Sequence, residues 1–185
     1  MFSAHNWGCT DAERSNAYPC DGLLVPADAA LFRGLDVAAP APVVFRWLCQ
    51  LKVAPYSYDW IDNGRRRSPR ELTQGLDHLE RGQEVMSIFQ LVDYEEGRHL
   101  TLLLHKPSAL RLFGAVAGSY VVVPVSERSS RLLVKLLVRY PRGIYGAFLR
   151  ALLPFGDRVM MRKQLVTLKK LSEMSSPATR DFAQR

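Results

Sequence analysis

The sequence is short of the residues from which recognisable catalytic and metal centres are assembled. Its three cysteines, Cys9, Cys20 and Cys49, form no CxxC, and the four histidines, His5, His78, His99 and His105, show neither HxH nor HExxH spacing. No metal ligand set can be read from such a pattern, and neither a metal nor a cofactor is expected. There is no GxSxG nucleophile elbow, no GxGxxG and no GxxxxGK followed by Ser or Thr. "GAVAGS", ending at Ser119, lacks the lysine of a phosphate loop and reads as a flexible link between strands. No uninterrupted apolar run approaches the ~18 residues that would cross a bilayer, since even "YGAFLRALLPF" carries Arg150 and Pro154. The opening "MFSAHNWGCTDAER" has neither the basic nor the apolar region of a secretory signal, so reduced thiols and a cytoplasmic location are expected. Cys9 and Cys20 could pair only in a secreted chain.

What is present fits an ordinary folded domain. A chain of 185 residues, 48% hydrophobic and 23% charged, is long enough for one real core and short for two. The net charge of +7 comes from 25 Lys and Arg against 18 Asp and Glu, which favours acidic partners or anionic surfaces. The basic residues are nevertheless scattered. Only Arg65, Arg66 and Arg67 form a run, no DNA or RNA motif surrounds it, and nucleic acid is not expected as a partner. The run reads as a solvated loop after Asn63 and Gly64, with capture of an anionic ligand as the competing reading.

Periodicity divides the chain into an irregular arm over 1–29, a domain over 30–175 and a frayed tail over 176–185. Within the arm, Trp7, Tyr18 and Leu23 are the groups able to pack on the body. In "ALFRGLDVAA", Leu31, Arg33, Leu35 and Val37 share one parity, as a strand requires, up to Pro40. "PAPVVFRWLCQL" starts a helix, because Pro40 and Pro42 suit a first turn and Val43, Val44, Trp47, Leu48 and Leu51 recur at helical spacing. Pro55 ends it, and "YSYDWI" reads as a short second helix or a helical turn. Two β-rich stretches follow, with turns at Glu95 to Gly97 and Glu127 to Ser130, and Pro124 marks an edge, bulge or strand end. In the last strand Leu132, Val134, Leu136 and Val138 share the face expected to be buried. "RGIYGAFLRALLPF" then predicts a helix broken at Pro154, and "GDRVMMRKQLVTLKKLSEM" a second one with Met160, Met161, Leu165, Leu168 and Leu171 on one arc. Strands gathered together between helices argue α+β.

"FRGLDVAAPAPVVFRWLCQL", "YSYDWIDN", "LERGQEV" and "GDRVMMRKQLVTLKKLSE" resemble, in that order, bacterial proteins of the SRPBCC or START-like superfamily, a group similar to birch pollen allergens and polyketide cyclases. The resemblance covers roughly 31–173. It implies the helix-grip fold, a curved antiparallel sheet around a long C-terminal helix with two short helices after the first strand and a cavity between sheet and helix. It transfers no catalytic assignment. The interposed "YPRGIYGAFLRALLPF" departs from the pattern and leaves the cavity mouth normal, lidded or blocked.

Two functional readings stand side by side. In the first, a soluble binding protein holds a small hydrophobic or amphipathic molecule, with Tyr56, Tyr58, Asp59 and Trp60 at the entrance and His105, Tyr120, Met161 and Leu165 along the cavity. In the second, the polyketide cyclase/dehydratase resemblance implies an enzyme in which Asp59, His105, Tyr120 or Arg139 does acid/base work on a carbonyl substrate. His105 is the natural titrating group if the strand face it shares with His99 lines the cavity. The aromatics at 56–60 could equally form a structural corner. "YGAFLRALLPF", with Phe148, Leu149, Leu152 and Leu153, leaves a peripheral membrane contact or a homodimer open.

Overall fold

The computed structural model describes residues 4–58 and 67–176. Seven strands form one sheet in the order β1, β2, β7, β6, β5, β4, β3. They are β1 (Asn6–Trp7), β2 (Ala29–Val37), β3 (Glu84–Val85), β4 (Phe89–Glu95), β5 (His99–Leu104), β6 (Ala115–Ser126) and β7 (Ser129–Arg139). All neighbours are antiparallel except β1, which runs parallel to β2. The α-helices among the described residues are α1 (Asp11–Ser15), α2 (Ala41–Cys49), α3 (Pro107–Phe113) and the 33-residue α4 (Gly143–Ser175), which packs across the inner face of the sheet. The chain therefore has the α+β helix-grip architecture.

The inner face is set by strand parity. Leu31 on β2, Leu91 on β4, Leu100 and Leu102 on β5, Tyr120 and Val122 on β6, and Leu132, Val134, Leu136 and Val138 on β7 are all buried in the core that α2 and α4 close. From α4 come Met161, Leu165, Leu168 and Leu171, four of the five residues on the arc the sequence predicts; Met160 is only half-buried. The hairpin turns also fall where expected, with Glu95 paired to His99 and Ser126 to Ser129. The β6–β7 register shifts between Pro124 and Ser126, because proline cannot donate to the ladder.

Several expectations are corrected. Pro154 lies inside α4 and does not break it. A proline removes one helical hydrogen bond. Here Leu149 and Leu153 before it and Met161 and Leu165 after it pack on the same core, and this shared packing holds the helix continuous. Ala115 to Ser119 of "GAVAGS" belong to β6 and Gly114 caps α3, so the segment is no flexible link. After α2 comes a 3₁₀ turn at Gln50–Lys52; Tyr56 and Ser57 are bends, and Asp59 to Ile61 of the helix or helical turn expected at "YSYDWI" lie outside the described residues.

The arm is not irregular throughout, and the sheet is not buried on one face alone. Beyond β1 and α1, Cys9, Tyr18, Cys20 and Leu24 cover the outer face at Ala117, Leu133 and Leu137; Leu23 stays exposed and Leu24 fills the place expected of it. Close approach fastens the start of the arm: Gly8 has φ +80, and a Cβ there would stand 2.0 Å from the Gly34 carbonyl oxygen. The three thiols are free and buried, and burial pushes Cys9 up to about 11 and Cys49 to about 12.

An ion pair completes the attachment. Arg131 on β7 donates from Nε to Glu13 Oε1 at 2.7 Å and from Nη2 to Glu13 Oε2 at 3.0 Å, while Glu13 caps α1 through the Thr10 amide at 2.8 Å. The Arg131 hydrogen bond holds the Glu13 carboxyl down at about 2, against an ordinary 4.5. A carboxylate depressed on folding stabilises above its unfolded pKa, and the contribution is lost as pH falls from about 4.5 toward 2. Glu13→Gln is thus expected to cost roughly 2 to 3 kcal/mol at neutral pH. Thermal melts of both proteins should converge as the pH drops through that window, and a gap independent of pH would exclude the ion pair as its source.

Candidate functional site

The interior between sheet and helix is lined by buried apolar side chains. Trp47, Tyr56, Leu31, Leu48, Leu91, Leu100, Leu165 and Leu168 are each less than 2% exposed. Two polar contacts cross this apolar volume, both from the inward arc of α4. Gln164 accepts from the Tyr120 hydroxyl at 2.7 Å and donates to the Pro55 carbonyl at 2.6 Å, with Met86 Sδ 3.3 Å away. The Tyr120 hydroxyl also lies 3.7 Å from Met161 Sδ. Burial raises the Tyr120 pKa, with the charge of Asp157 adding to the effect, so this phenol keeps its proton.

The other contact is an ion pair. Arg33, fully buried on β2, donates to Asp157 Oδ2 at 2.7 Å, to the Phe32 carbonyl at 2.9 Å and to the Pro154 carbonyl at 3.4 Å. Its Nε has no hydrogen-bond partner among the described residues. Burial pushes the Asp157 carboxyl up to about 6, against the opposing pull of Arg33.

A pocket opens where the chain leaving α2 meets α4. It has a volume of about 110 Å³ and is lined by Tyr56, Ser57, Ser68, Pro69, Arg70, Lys163, Thr167 and Leu171. Helical spacing puts Lys163, Thr167 and Leu171 on one edge of α4. Tyr56 reaches the pocket from a left-handed backbone, φ +55, that a tyrosine seldom adopts. The same conformation seats its ring edge-on to Trp47, with centroids 6.1 Å apart. Trp47 is fixed in turn by donating to Ser175 Oγ at 3.1 Å. Two cations and four hydroxyl side chains line this mouth, and no carboxylate is among the described residues that line it.

The residues singled out from sequence divide accordingly. Tyr56 lines the pocket, and Tyr58 beside it is half-buried. Tyr120, Met161 and Leu165 meet in the interior beyond it. Asp59 and Trp60 lie outside the described residues, as do Arg65 and Arg66; Arg67 is exposed. His105 is placed elsewhere, exposed just past the end of β5. The face it shares with His99 is the outer one, where Thr101 bonds Ser119 at 3.0 Å and Leu103 packs under the arm. Arg139 also points away from the interior, donating to the Pro26 carbonyl at 2.8 Å. Sequence reasoning missed Arg33, Asp157, Gln164 and the pocket residues Ser57, Ser68, Arg70, Lys163 and Thr167. Among the described residues no cluster of His, Cys, Asp and Glu could hold a metal ion, and no helix is long and apolar enough to cross a membrane.

This sheet wound about one long helix is the helix-grip fold that the sequence resemblance implied. Among solved structures, the chain is similar to a Thermobifida fusca protein determined by solution NMR, at 16% identity over 80% of this chain and 95% of that one, with a TM-score of 0.52. It is also similar to the Zhui aromatase/cyclase of a Streptomyces species, at 15% identity over 78% and 93%, TM-score 0.50. A START superfamily protein from Mycobacterium smegmatis matches at 16% identity over 78% and 94%, TM-score 0.45. No family model and no curated protein matches the sequence. At these identities the likeness to the first two shows the fold alone and carries over no substrate.

Proposed function

We propose that the protein binds a small amphipathic molecule, its anionic head between Arg70 and Lys163 and its apolar part directed toward Tyr56 and the methionine-bearing interior. The observation that carries this reading is the pocket lining, where cations and hydroxyls converge without a carboxylate among the described lining residues, next to an apolar core. Guanidinium and ammonium groups favour carboxylates and phosphates through charge-assisted hydrogen bonds. The volume of about 110 Å³ is well under the ~300 Å³ at which small-molecule sites begin. It suits a head group, and a longer ligand requires Met86 and Met161 to repack, which unbranched thioether side chains do readily.

The competing enzyme reading needs two titratable groups converging on one substrate atom. Of those named for it, His105 and Arg139 face outward, Asp59 lies outside the described residues, and the Tyr120 hydroxyl is engaged by Gln164. Binding is therefore the reading we adopt.

Titration calorimetry with dodecanoate and with dodecanol tests it. Dodecanoate should bind more tightly, and Arg70→Glu with Lys163→Glu should weaken it by about 10- to 100-fold, the range expected for charge-assisted hydrogen bonds. Equal affinity for both probes, or a charge-reversed protein that binds dodecanoate unchanged, would refute the placement of the head group.

A further inference from the structure

The N-terminal half of α4 is apolar on both sides. Leu149, Leu153 and Met161 turn to the core, while Ile144, Phe148, Leu152, Phe155 and Val159 are 91%, 59%, 50%, 60% and 55% exposed. At 100° per residue these five fall within an arc of about 80°, nearly opposite the inward arc, and run ~22 Å along the helix. Scattered single exposed leucines are ordinary; a continuous stripe with two phenylalanines is not. The sequence expectation is thereby refined, since Leu149 and Leu153 are half-buried and Ile144, Phe155 and Val159 complete the exposed face.

Charge decides what this stripe fits. Between 142 and 163 the basic residues are Arg142, Arg150, Arg158, Arg162 and Lys163, and Asp157 is the sole acidic one, turned inward onto Arg33. Arg162 continues the stripe at its C-terminal end, exposed, with its guanidinium 5.9 Å from the Trp7 ring centroid. Arg142 stands exposed at the other end. A second copy docked antiparallel across the stripe would bring Arg142 against the partner's Arg162 and Lys163, a like-charge contact. An anionic lipid surface instead takes the rings into its acyl boundary and Arg162 and Lys163, at the end of the stripe, among its head groups, the arrangement of interfacial amphipathic helices; Arg150 lies on the other side of the helix, 3.4 Å from Asp28.

We propose that α4 docks this protein on anionic membranes through the stripe Ile144, Phe148, Leu152, Phe155 and Val159. Lys163 lies beside the end of that stripe and also lines the pocket, so docking brings the pocket mouth close to the lipid surface. The proposal goes beyond ligand binding and does not depend on it.

Sedimentation of the full chain with vesicles of phosphatidylglycerol and phosphatidylcholine in equal amounts tests it. Binding is expected at low salt and should weaken on the order of tenfold in half-molar salt or on pure phosphatidylcholine, because screening and neutral head groups remove the attraction. Phe148→Ser with Phe155→Ser should weaken it about 100-fold while leaving the melting temperature in place, since both rings are exposed. A wild-type protein that ignores the anionic vesicles, or a double variant that sediments equally well, overturns the proposal. So does a dimer in sedimentation equilibrium that the double variant dissolves, because the stripe then belongs to a second copy. The dodecanoate titration is read without vesicles, so failure of one assay leaves the other informative.

Discussion

Arg33→Met is expected to destabilise the fold by about 3 to 5 kcal/mol, and adding Asp157→Leu should restore most of that loss. Arg33 is wholly buried and the Asp157 side chain is 14% exposed, so each charge has given up most of its water for the other. Removing one partner strands the other's charge in an apolar surrounding. Removing both leaves two side chains whose apolar atoms suit the neighbouring core. The unpartnered Nε of Arg33 adds to the case, since a fully satisfied pair would be harder to replace. Urea midpoints of the wild type, both single variants and the double variant provide the cycle. Independent, additive losses would mean that the pair does not form in solution.

Leu168→Asp should be at least as damaging, with a cost of about 4 kcal/mol or more and an unfolded chain as the expected product. Leu168 is 1% exposed on the inward face of α4, among Leu165, Leu171 and the sheet. An ionised carboxylate there has no described cation of the kind that Asp157 finds in Arg33. Lys170→Asp, two residues on and exposed, provides the control for a charge change on the same helix and should shift stability by no more than ~0.5 kcal/mol. A cooperative melt of Leu168→Asp at the wild-type temperature would contradict the packing of α4 itself.

How far the sequence spoke for the structure depends on whether its signals were local. The hairpin at Glu95 to Gly97, the buried parity of β7 and the inward arc of α4 are periodic features of contiguous residues, and they were legible. Pro154 misled because proline's local cost is real, while the packing that overrides it comes from residues far away in the chain. The arm's cover on the outer face had a readable trace: "RLLVKLLVR" is apolar at both parities, and Leu133 and Leu137 lie under Tyr18, Cys20 and Leu24.

The site was less legible because it joins distant segments. Arg33 was placed on the apolar parity of its strand, and a charge in that position asks for a buried partner. That partner, Asp157, is 124 residues away, and no pattern in the sequence connects them. Gln164 offered a better signal, a polar residue on the arc of Met161, Leu165 and Leu168, and Tyr120 is what it meets. His105 misled because strand parity fixes which side chains share a face without saying which face is inside; the arm, by covering the other side, decides it. Arg70 and Lys163 are ordinary surface cations in sequence and become a site only where the bends after α2 bring Ser57 and Ser68 against α4.

The central claim is that this mouth holds the head group of an amphipathic molecule. Native mass spectrometry of the full chain as purified, beside a denatured extract analysed for small molecules, tests it most directly. The account predicts a near-stoichiometric adduct whose extract contains an amphipathic acid or phosphate, and its loss when Arg70 and Lys163 are both changed to glutamate. An adduct that is neutral and apolar throughout, or an empty protein that also fails to take up added dodecanoate, would contradict it.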